Sequence, residues 1–275
     1  MNFRKLFLFF VFVSLVTVSC SDYQKVLKST NPEYKFDKTV EYYNAEEYLK
    51  VLPLLEELIP LYRGTDKGQT IYYYYCYTNY HLNYLVTAAY HFKKYSVTYP
   101  LSVYAEDALF MSAYCNYLDS PIPTLDQQPT YSALDELQIF TNTYPESPLV
   151  DSANNLVDEL RFKLEVKSFE NSKQYYKIRK YQSAVVSLNA TLETYPATIY
   201  AEEIKLLILK SYYFLALNSI ETKKKDRFDK GVEAYYDFID NFADGVYVKE
   251  AEDVYAKIIK ERQKLVPENT NNEEL

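Results

Sequence analysis

Few side chains in this sequence are suited to covalent or acid–base chemistry. The 275 residues include three cysteines and two histidines, and His81 and His91 fall on different predicted helices. Acid–base catalysis needs an imidazole within hydrogen-bond reach of a second reactive group. No metal-ligand spacing, Walker loop, dinucleotide-binding turn or serine nucleophile elbow accompanies these histidines. The sequence therefore predicts a protein without catalytic activity, metal, cofactor or small-molecule substrate.

Cys20 is the residue whose surroundings indicate a covalent modification. Arg4 and Lys5 precede an apolar run from Leu6 to Val18, and Ser19 stands directly before the cysteine. This order is typical of a signal peptide, and the run is shorter than the roughly 20 apolar residues that a membrane-spanning helix needs. The segment resembles a lipoprotein signal, which predicts cleavage before Cys20 and acylation of its sulfur and new amino group. The alternative is a secretory cleavage site that has a cysteine by chance.

The other two cysteines, Cys76 and Cys115, lie in tyrosine-rich stretches of predicted helix. In an oxidising exported compartment the two could pair. A small apolar side chain fits a helical core well, so we favour buried free thiols.

The composition predicts long helices and excludes nucleic acid as a partner. The chain has 48% hydrophobic residues, 32 Tyr, 15 Phe, no Trp and only four Gly, which is unlike a disordered chain or a turn-rich β protein. Without Arg4 and Lys5, the 30 basic side chains become 28 against 38 acidic ones, and the net charge changes from −8 to −10. Phosphate binding needs clustered Lys and Arg, and this acidic balance argues against it.

Three segments end in the same Tyr-Pro pair after a stretch of helical pattern. They are Phe92–Pro100 (FKKYSVTYP), Leu137–Pro145 (LQIFTNTYP) and Leu188–Pro196 (LNATLETYP). The tyrosine of each pair marks the end of a repeat, and Tyr62 and Phe242 are its counterparts in two further repeats. Proline cannot continue a helix, so each mark predicts a helix end.

Fixed spacings around the five marks indicate paired helices. A small residue precedes each mark by eleven positions, a large one precedes it by seven, and a small or β-branched one follows it by nine. The three sets are Val51, Ala88, Ala133, Ala184 and Gly231, then Leu55, Phe92, Leu137, Leu188 and Tyr235, then Ile71, Ala108, Ala153, Ile204 and Ala251. A small residue lets antiparallel helices approach, and a large one fills the adjoining gap. This is the tetratricopeptide (TPR) pattern, and it predicts an all-α, right-handed solenoid of about five TPR-like helix pairs with a C-terminal capping helix.

The pattern also predicts the organisation of the chain. We expect helix pairs at 33–45 and 47–62, 67–83 and 84–99, 102–118 and 129–144, 149–178 and 181–195, and 198–218 and 226–243, with a last helix at 247–265. The predicted segments are a signal peptide at 1–19, a lipidated linker at 20–32, repeats 1–3 at 33–145, repeats 4–5 and the capping helix at 146–265, and a disordered acidic tail at 266–275. The proline-rich insertion at 119–129 is either a plain long loop or a recognition element.

The first helices of such pairs line a concave surface that can hold an extended peptide. Projection from the repeat marks places these residues on it: Phe36, Tyr43, Lys67, Tyr74, Tyr77, Tyr104, Met111 and Tyr114. Tyrosine combines a large contact area with a polar hydroxyl, and Lys67 is a cation for a terminal carboxylate. The alternative is that many of these tyrosines fill the core, because the run 71–80 (IYYYYCYTNY) is aromatic on all sides.

The order of these features resembles the BamD family of TPR lipoproteins in the outer-membrane β-barrel assembly machinery. The features are a lipid-modified Cys20 before the first repeat, helix ends at Pro100, Pro145 and Pro196, an insertion closing with Asp126-Gln127-Gln128-Pro129, and the segment 175–196 (YYKIRKYQSAVVSLNATLETYP). The tyrosine richness is similar to that of a Bacteroidota-type member.

The resemblance implies a protein tethered by lipid to the periplasmic face of the outer membrane. It implies N-terminal repeats that bind unfolded β-barrel proteins and C-terminal repeats that dock a POTRA domain of a BamA-like insertase. Arg161 and Lys163 are the basic candidates for that docking.

Two other functions remain open. A SusD-like nutrient-binding lipoprotein also combines TPR helices with a lipid anchor, but that family is about twice as long and rich in Trp, which this chain lacks. A TPR adaptor for envelope or peptidoglycan machinery would differ in its partners alone.

Overall fold

The computed structural model describes residues 22–265, so the signal peptide, Cys20 and the acidic tail lie outside the described residues. Throughout 22–265 the regular secondary structure is helical, which confirms the predicted all-α class. The helices are α1 (22–28), α2 (Pro32–Asn44), α3 (Tyr48–Leu61), α4 (Asp66–His81), α5 (Leu85–Thr98), α6 (Ala105–Asp119), α7 (Gln128–Thr143), α8 (Val150–Lys177), α9 (Tyr181–Thr194), α10 (Ala201–Leu217), α11 (Glu221–Phe242) and α12 (Val248–Gln263).

The marks end their helices as predicted. Tyr99, Tyr144 and Tyr195 each cap a helix, and their backbone N–H groups donate to the carbonyl four residues earlier. Proline follows each cap and has no N–H to continue the ladder.

Helix α1 lies in the segment 20–32, which the sequence predicts as a linker, so that expectation was wrong for residues 22–28. Among the predicted helices the largest difference is the start of α11, which begins at Glu221 instead of residue 226. Residues 221–225 (ETKKK) include Glu and three Lys, which are good helix formers. Ion pairs one turn apart connect the charged side chains of this part of α11. Lys224 lies 2.6 Å from Glu221, and Lys230 lies 3.2 Å from Asp226. Such pairs favour helix, so α11 extends back over residues 221–225.

The chain divides into two compact units, residues up to Leu160 and residues from Arg161 onward. The division falls inside α8, whereas the sequence places it between 145 and 146. In each unit helices pack mainly on their neighbours in sequence, and α10 also contacts α12, which is consistent with TPR-like helix pairs.

The repeat positions form the core of both units. All fifteen positions of the small, large and following sets are buried except Tyr235, which is half-buried. Gly231 shows why one position is small: a Cβ there would lie 2.8 Å from Cδ1 of Ile258 on α12. Close approach of successive helices therefore depends on these residue types.

The turns joining the helices of three pairs have one geometry. Glu46, Asn83 and Arg179 adopt positive φ angles of 58°, 60° and 62°, and the next residue donates its N–H to the carbonyl five positions earlier at 2.9 Å. This is a Schellman motif. The third pair has the insertion in place of this short turn.

Candidate peptide-binding surface

Five of the predicted groove residues lie on one aromatic surface of unit 1, which we call the tyrosine face. It consists of half-buried rings on α2, α4 and α6 and at the N-cap of α6: Tyr43, Tyr74, Tyr77, Tyr114 and Tyr104. Tyr43 and Tyr74 are in direct contact, with ring centroids 4.6 Å apart. Half-buried rings are held by the core on one side and leave the other side for a ligand.

Three residues that the sequence does not place on the groove, Tyr73, Tyr80 and His81, connect the tyrosine face. Tyr73 stacks on Tyr104 at 4.2 Å and meets Tyr77 at 5.0 Å. His81 lies 6.2 Å from Tyr43 and 6.1 Å from Tyr77, while Tyr80 lies 6.2 Å from Tyr77 and 6.5 Å from Tyr114. Together with Tyr77 they are spaced i, i+4, i+7 and i+8 along α4, and this helical spacing is the signal that would have found them.

Asp107 adds a negative charge to the tyrosine face. Its Oδ2 accepts from the hydroxyls of Tyr73 at 2.6 Å and Tyr77 at 2.7 Å. Burial first, and this carboxylate second, raise the pKa of both tyrosines, so both stay protonated donors at neutral pH. A carboxylate has about four acceptor sites, which leaves room for an N–H group of a ligand.

The remaining hydroxyls of the tyrosine face are available to a ligand. Tyr74, Tyr104 and Tyr114 make no side-chain hydrogen bond to any other residue of 22–265. Their O–H groups can donate to backbone carbonyls of an extended peptide, while Asp107 can accept from its backbone amides.

Phe36 and Lys67 contact each other and lie seven residues before Tyr43 and Tyr74 on α2 and α4. Lys67 forms an ion pair with Glu33 and lies 4.3 Å from the ring centroid of Phe36. The Tyr62 hydroxyl also donates to Glu33 at 2.6 Å, which raises the pKa of Tyr62 to about 12. Lys67 is therefore already partnered, and a terminal carboxylate would have to compete with Glu33 for it.

Met111 lies in the core and not on the tyrosine face. It is 8% exposed and packs in the cluster that joins α4, α5 and α6. A helical wheel gives its direction from the α6 axis, but residues of α4 and α5 pack on that side.

The insertion between α6 and α7 is fastened by one buried amide. Gln127 is 2% exposed, and its Nε2 donates to the carbonyls of Ile122 and Leu125 at 2.9 and 3.0 Å. Its Oε1 accepts from the Thr130 hydroxyl at 2.7 Å. The loop thus has a defined conformation that exposes Ile122 and Leu125 to solvent.

The other reactive side chains have structural surroundings. Cys76 and Cys115 are buried free thiols, as the sequence favours, and burial raises the pKa of both. His91 Nδ1 is 2.8 Å from the Tyr72 hydroxyl, and burial lowers its pKa. No group of three metal-binding side chains occurs in residues 22–265.

Both predicted docking cations lie on α8 in unit 2, but on different sides of it. Arg161 is exposed and Lys163 is half-buried. Side chains two positions apart on an α-helix point in directions that differ by about 200°. One flat partner surface would therefore not contact both Arg161 and Lys163. Arg161 is the better placed of the two.

Comparison with known proteins identifies the family. The chain matches the family model YfiO, described as outer membrane lipoprotein, over residues 29–227. The chain belongs to this family. No curated protein matches it.

The YfiO match covers α2 to α10, and it therefore includes the tyrosine face, the insertion and Arg161. Within 22–265 no helix combines the length and apolar character needed to cross a bilayer.

Proposed function

We propose that this YfiO-family lipoprotein is a non-enzymatic assembly factor of the outer membrane. It binds unfolded β-barrel proteins on the tyrosine face of unit 1 and docks the barrel insertase through unit 2. The observation that carries the proposal is the family match over a segment that contains a connected aromatic surface. Lipid on Cys20 holds the protein at the periplasmic face of the outer membrane, and the helix pairs form a right-handed TPR solenoid.

The chemistry of the tyrosine face suits the C-terminal strand of a β-barrel protein. Side chains of an extended strand alternate between two faces, so one face can place aromatic residues against Tyr74, Tyr77 and Tyr114. The other requirement is hydrogen bonding for the backbone, which the hydroxyls and Asp107 satisfy. A folded barrel has no free strand, so this mode selects unfolded clients.

Lys67 can bind the terminal carboxylate of a client only after its ion pair with Glu33 breaks. Glu33→Gln should weaken that ion pair, and a peptide ending in a free carboxylate should then bind several-fold tighter. The same peptide with an amidated end should gain nothing, and Lys67→Met should remove the difference between the two peptides. Equal responses of the acid and the amide to Glu33→Gln would remove Lys67 from the site.

Co-purification tests the docking proposal. Tagged lipoprotein should capture the insertase, and Arg161→Glu should lower the yield more than Lys163→Glu because Arg161 is the exposed cation. Lys249→Glu is the matched control, because Lys249 is an exposed lysine on α12. Equal yields from Arg161→Glu and the control would refute docking through Arg161, and no capture by the wild type would refute the assembly function.

Cell fractionation tests the anchor. Cys20→Ser should leave a folded protein that separates from membranes, because multiple acyl chains supply the stable attachment. The test is repeated in a strain that lacks the insertase contact. If Cys20→Ser is found there in the membrane fraction at the level of the wild-type protein, anchoring by lipid is refuted.

A further inference from the structure

A second recessed surface lies in unit 2, where α8 ends, α9 begins and α10 ends. This open cleft has a volume of about 910 Å³ and is lined by residues from the three helix ends. It shares no residue with the tyrosine face. Lys177 at its rim is 16 residues along α8 from Arg161, a separation of about 24 Å at 1.5 Å per residue.

The rim of the cleft is cationic in a chain of net charge −8. Lys177, Arg179 and Lys180 are exposed, and the lining contains no Asp or Glu. Lys177 lies 3.7 Å from Glu170, whereas Arg179 and Lys180 form no ion pair within the described residues. The backbone adds to this charge, because the N-cap of α9 has no side-chain hydrogen bond and the first N–H groups of a helix carry partial positive charge.

The turn itself does not require a cation. Arg179 occupies the positive-φ position of the Schellman motif, where Glu46 and Asn83 occupy the equivalent sites of the first two pairs. Glycine is the residue best suited to this conformation. One turn geometry thus accepts a negative, a neutral and a positive side chain, so folding does not account for Arg179 beside two lysines.

An aromatic wall backs the cations. The rings of Tyr181 and Phe214 stack with centroids 5.2 Å apart, and Tyr176 lies 5.8 Å from Tyr181. Ile178 and Leu217 are exposed nearby. A small inorganic anion would use the cations and leave this apolar wall in water.

We propose that the cleft docks an acidic segment of a partner protein, with an aromatic or large aliphatic residue between its carboxylates. Arg179, Lys180 and Lys177 pair with the carboxylates, and the apolar residue packs on Tyr181 and Phe214. The inference goes beyond the proposed function, because neither client binding nor docking through Arg161 uses this cleft.

The test uses purified full-length lipoprotein in detergent and the fluorescein-labelled peptide EEFEEYEE as probe, with anisotropy as the readout. The cleft variant combines Lys177→Ala, Arg179→Gly and Lys180→Ala. Glycine at 179 keeps the turn favourable, and circular dichroism melts check that the variant is folded. The control combines Lys249→Ala, Lys257→Ala and Lys260→Ala, three exposed lysines of α12, and it changes the net charge equally.

We expect the cleft variant to bind the probe at least tenfold more weakly and the control to stay within twofold of wild type. Binding should weaken as salt rises, since exposed charge pairs are screened, and Phe214→Ala should weaken it at constant charge. No binding by the wild type, or equal losses in the cleft variant and the control, would overturn the proposal. Tighter binding after removal of residues 266–275 would instead assign the cleft to the chain's own acidic tail.

Discussion

Truncation of two tyrosines in unit 1 should have opposite effects on binding and on stability. Tyr74 is half-buried on the tyrosine face, and its ring contact with Tyr43 is at 4.6 Å. Tyr95 is fully buried, and its hydroxyl lies 2.8 Å from Ser102 Oγ. Tyr74→Ala and Tyr95→Ala remove the same atoms from a surface and from a core, so the pair separates recognition from packing.

The magnitudes follow from these surroundings. Tyr74→Ala loses its aromatic pair with Tyr43, about 1 kcal/mol, and the contact of a half-buried ring with the core, about 1 kcal/mol more. Together these correspond to roughly 4 to 8 °C in Tm for a protein of this size. Because Tyr74 is an interface anchor, its truncation should reduce the binding free energy by about 1 to 2 kcal/mol, which is roughly a 5- to 30-fold weaker Kd. Tyr95→Ala should cost about 3 to 5 kcal/mol of stability by analogy with buried Phe, or roughly 6 to 20 °C in Tm, with an unchanged Kd for the folded fraction.

Thermal melts and fluorescence anisotropy with a labelled ten-residue peptide of alternating aromatic residues measure both quantities. The peptide titrations are made at a temperature where both variants are folded. A wild-type Kd for Tyr74→Ala would remove Tyr74 from the peptide site. A Tm for Tyr74→Ala as low as that of Tyr95→Ala would show that both tyrosines are core residues.

Three further predictions concern stability. Gly68→Ala should destabilise the protein although alanine favours helix, because a Cβ would overlap the Tyr62 carbonyl oxygen; urea unfolding checks this, and a gain in stability would contradict it. Glu136→Ala should cost about 2 kcal/mol, because its carboxylate accepts from the buried Ser112 hydroxyl at 2.6 Å and charge-assisted bonds are strong; an unchanged urea midpoint would contradict it. Burial lowers the pKa of His91 below its ordinary 6.5, so a proton binds the unfolded chain more tightly than the folded one. The free energy of unfolding should therefore be highest above pH 6.5 and should decrease as the pH falls below 6.5. His91→Gln should flatten that fall in melts between pH 7.5 and 5.5, and an identical slope would contradict the assignment.

Helix ends and the core were predictable because they rest on local chemistry and on repeated spacing. Proline after Tyr99, Tyr144 and Tyr195 ends a helix wherever the pair lies in the fold. A small residue eleven positions before a mark is buried in every repeat because each pair packs in the same way. The sequence places the start of α11 five residues too late, because a charged segment is compatible both with a loop and with a helix that is stabilised by ion pairs.

The details of the candidate site depend on contacts between repeats, and spacing within one helix does not contain them. Lys67 pairs with Glu33, 34 residues earlier, because of the register of α4 on α2. Asp107 joins Tyr73 and Tyr77 for the same reason across α4 and α6. The unequal steps between marks hide this register, so the sequence predicts which helices share a surface but not which side chains already have partners.

The central claim is that the tyrosine face binds unfolded outer-membrane proteins, and site-specific crosslinking in cells tests it most directly. A photoreactive amino acid replaces Tyr74 or Tyr114 in turn, and Tyr131, an exposed tyrosine on α7, is the matched control. Both face positions should crosslink newly exported β-barrel proteins before they fold, and the control should not. Equal yields at all three positions, or adducts with folded barrels alone, would contradict the claim.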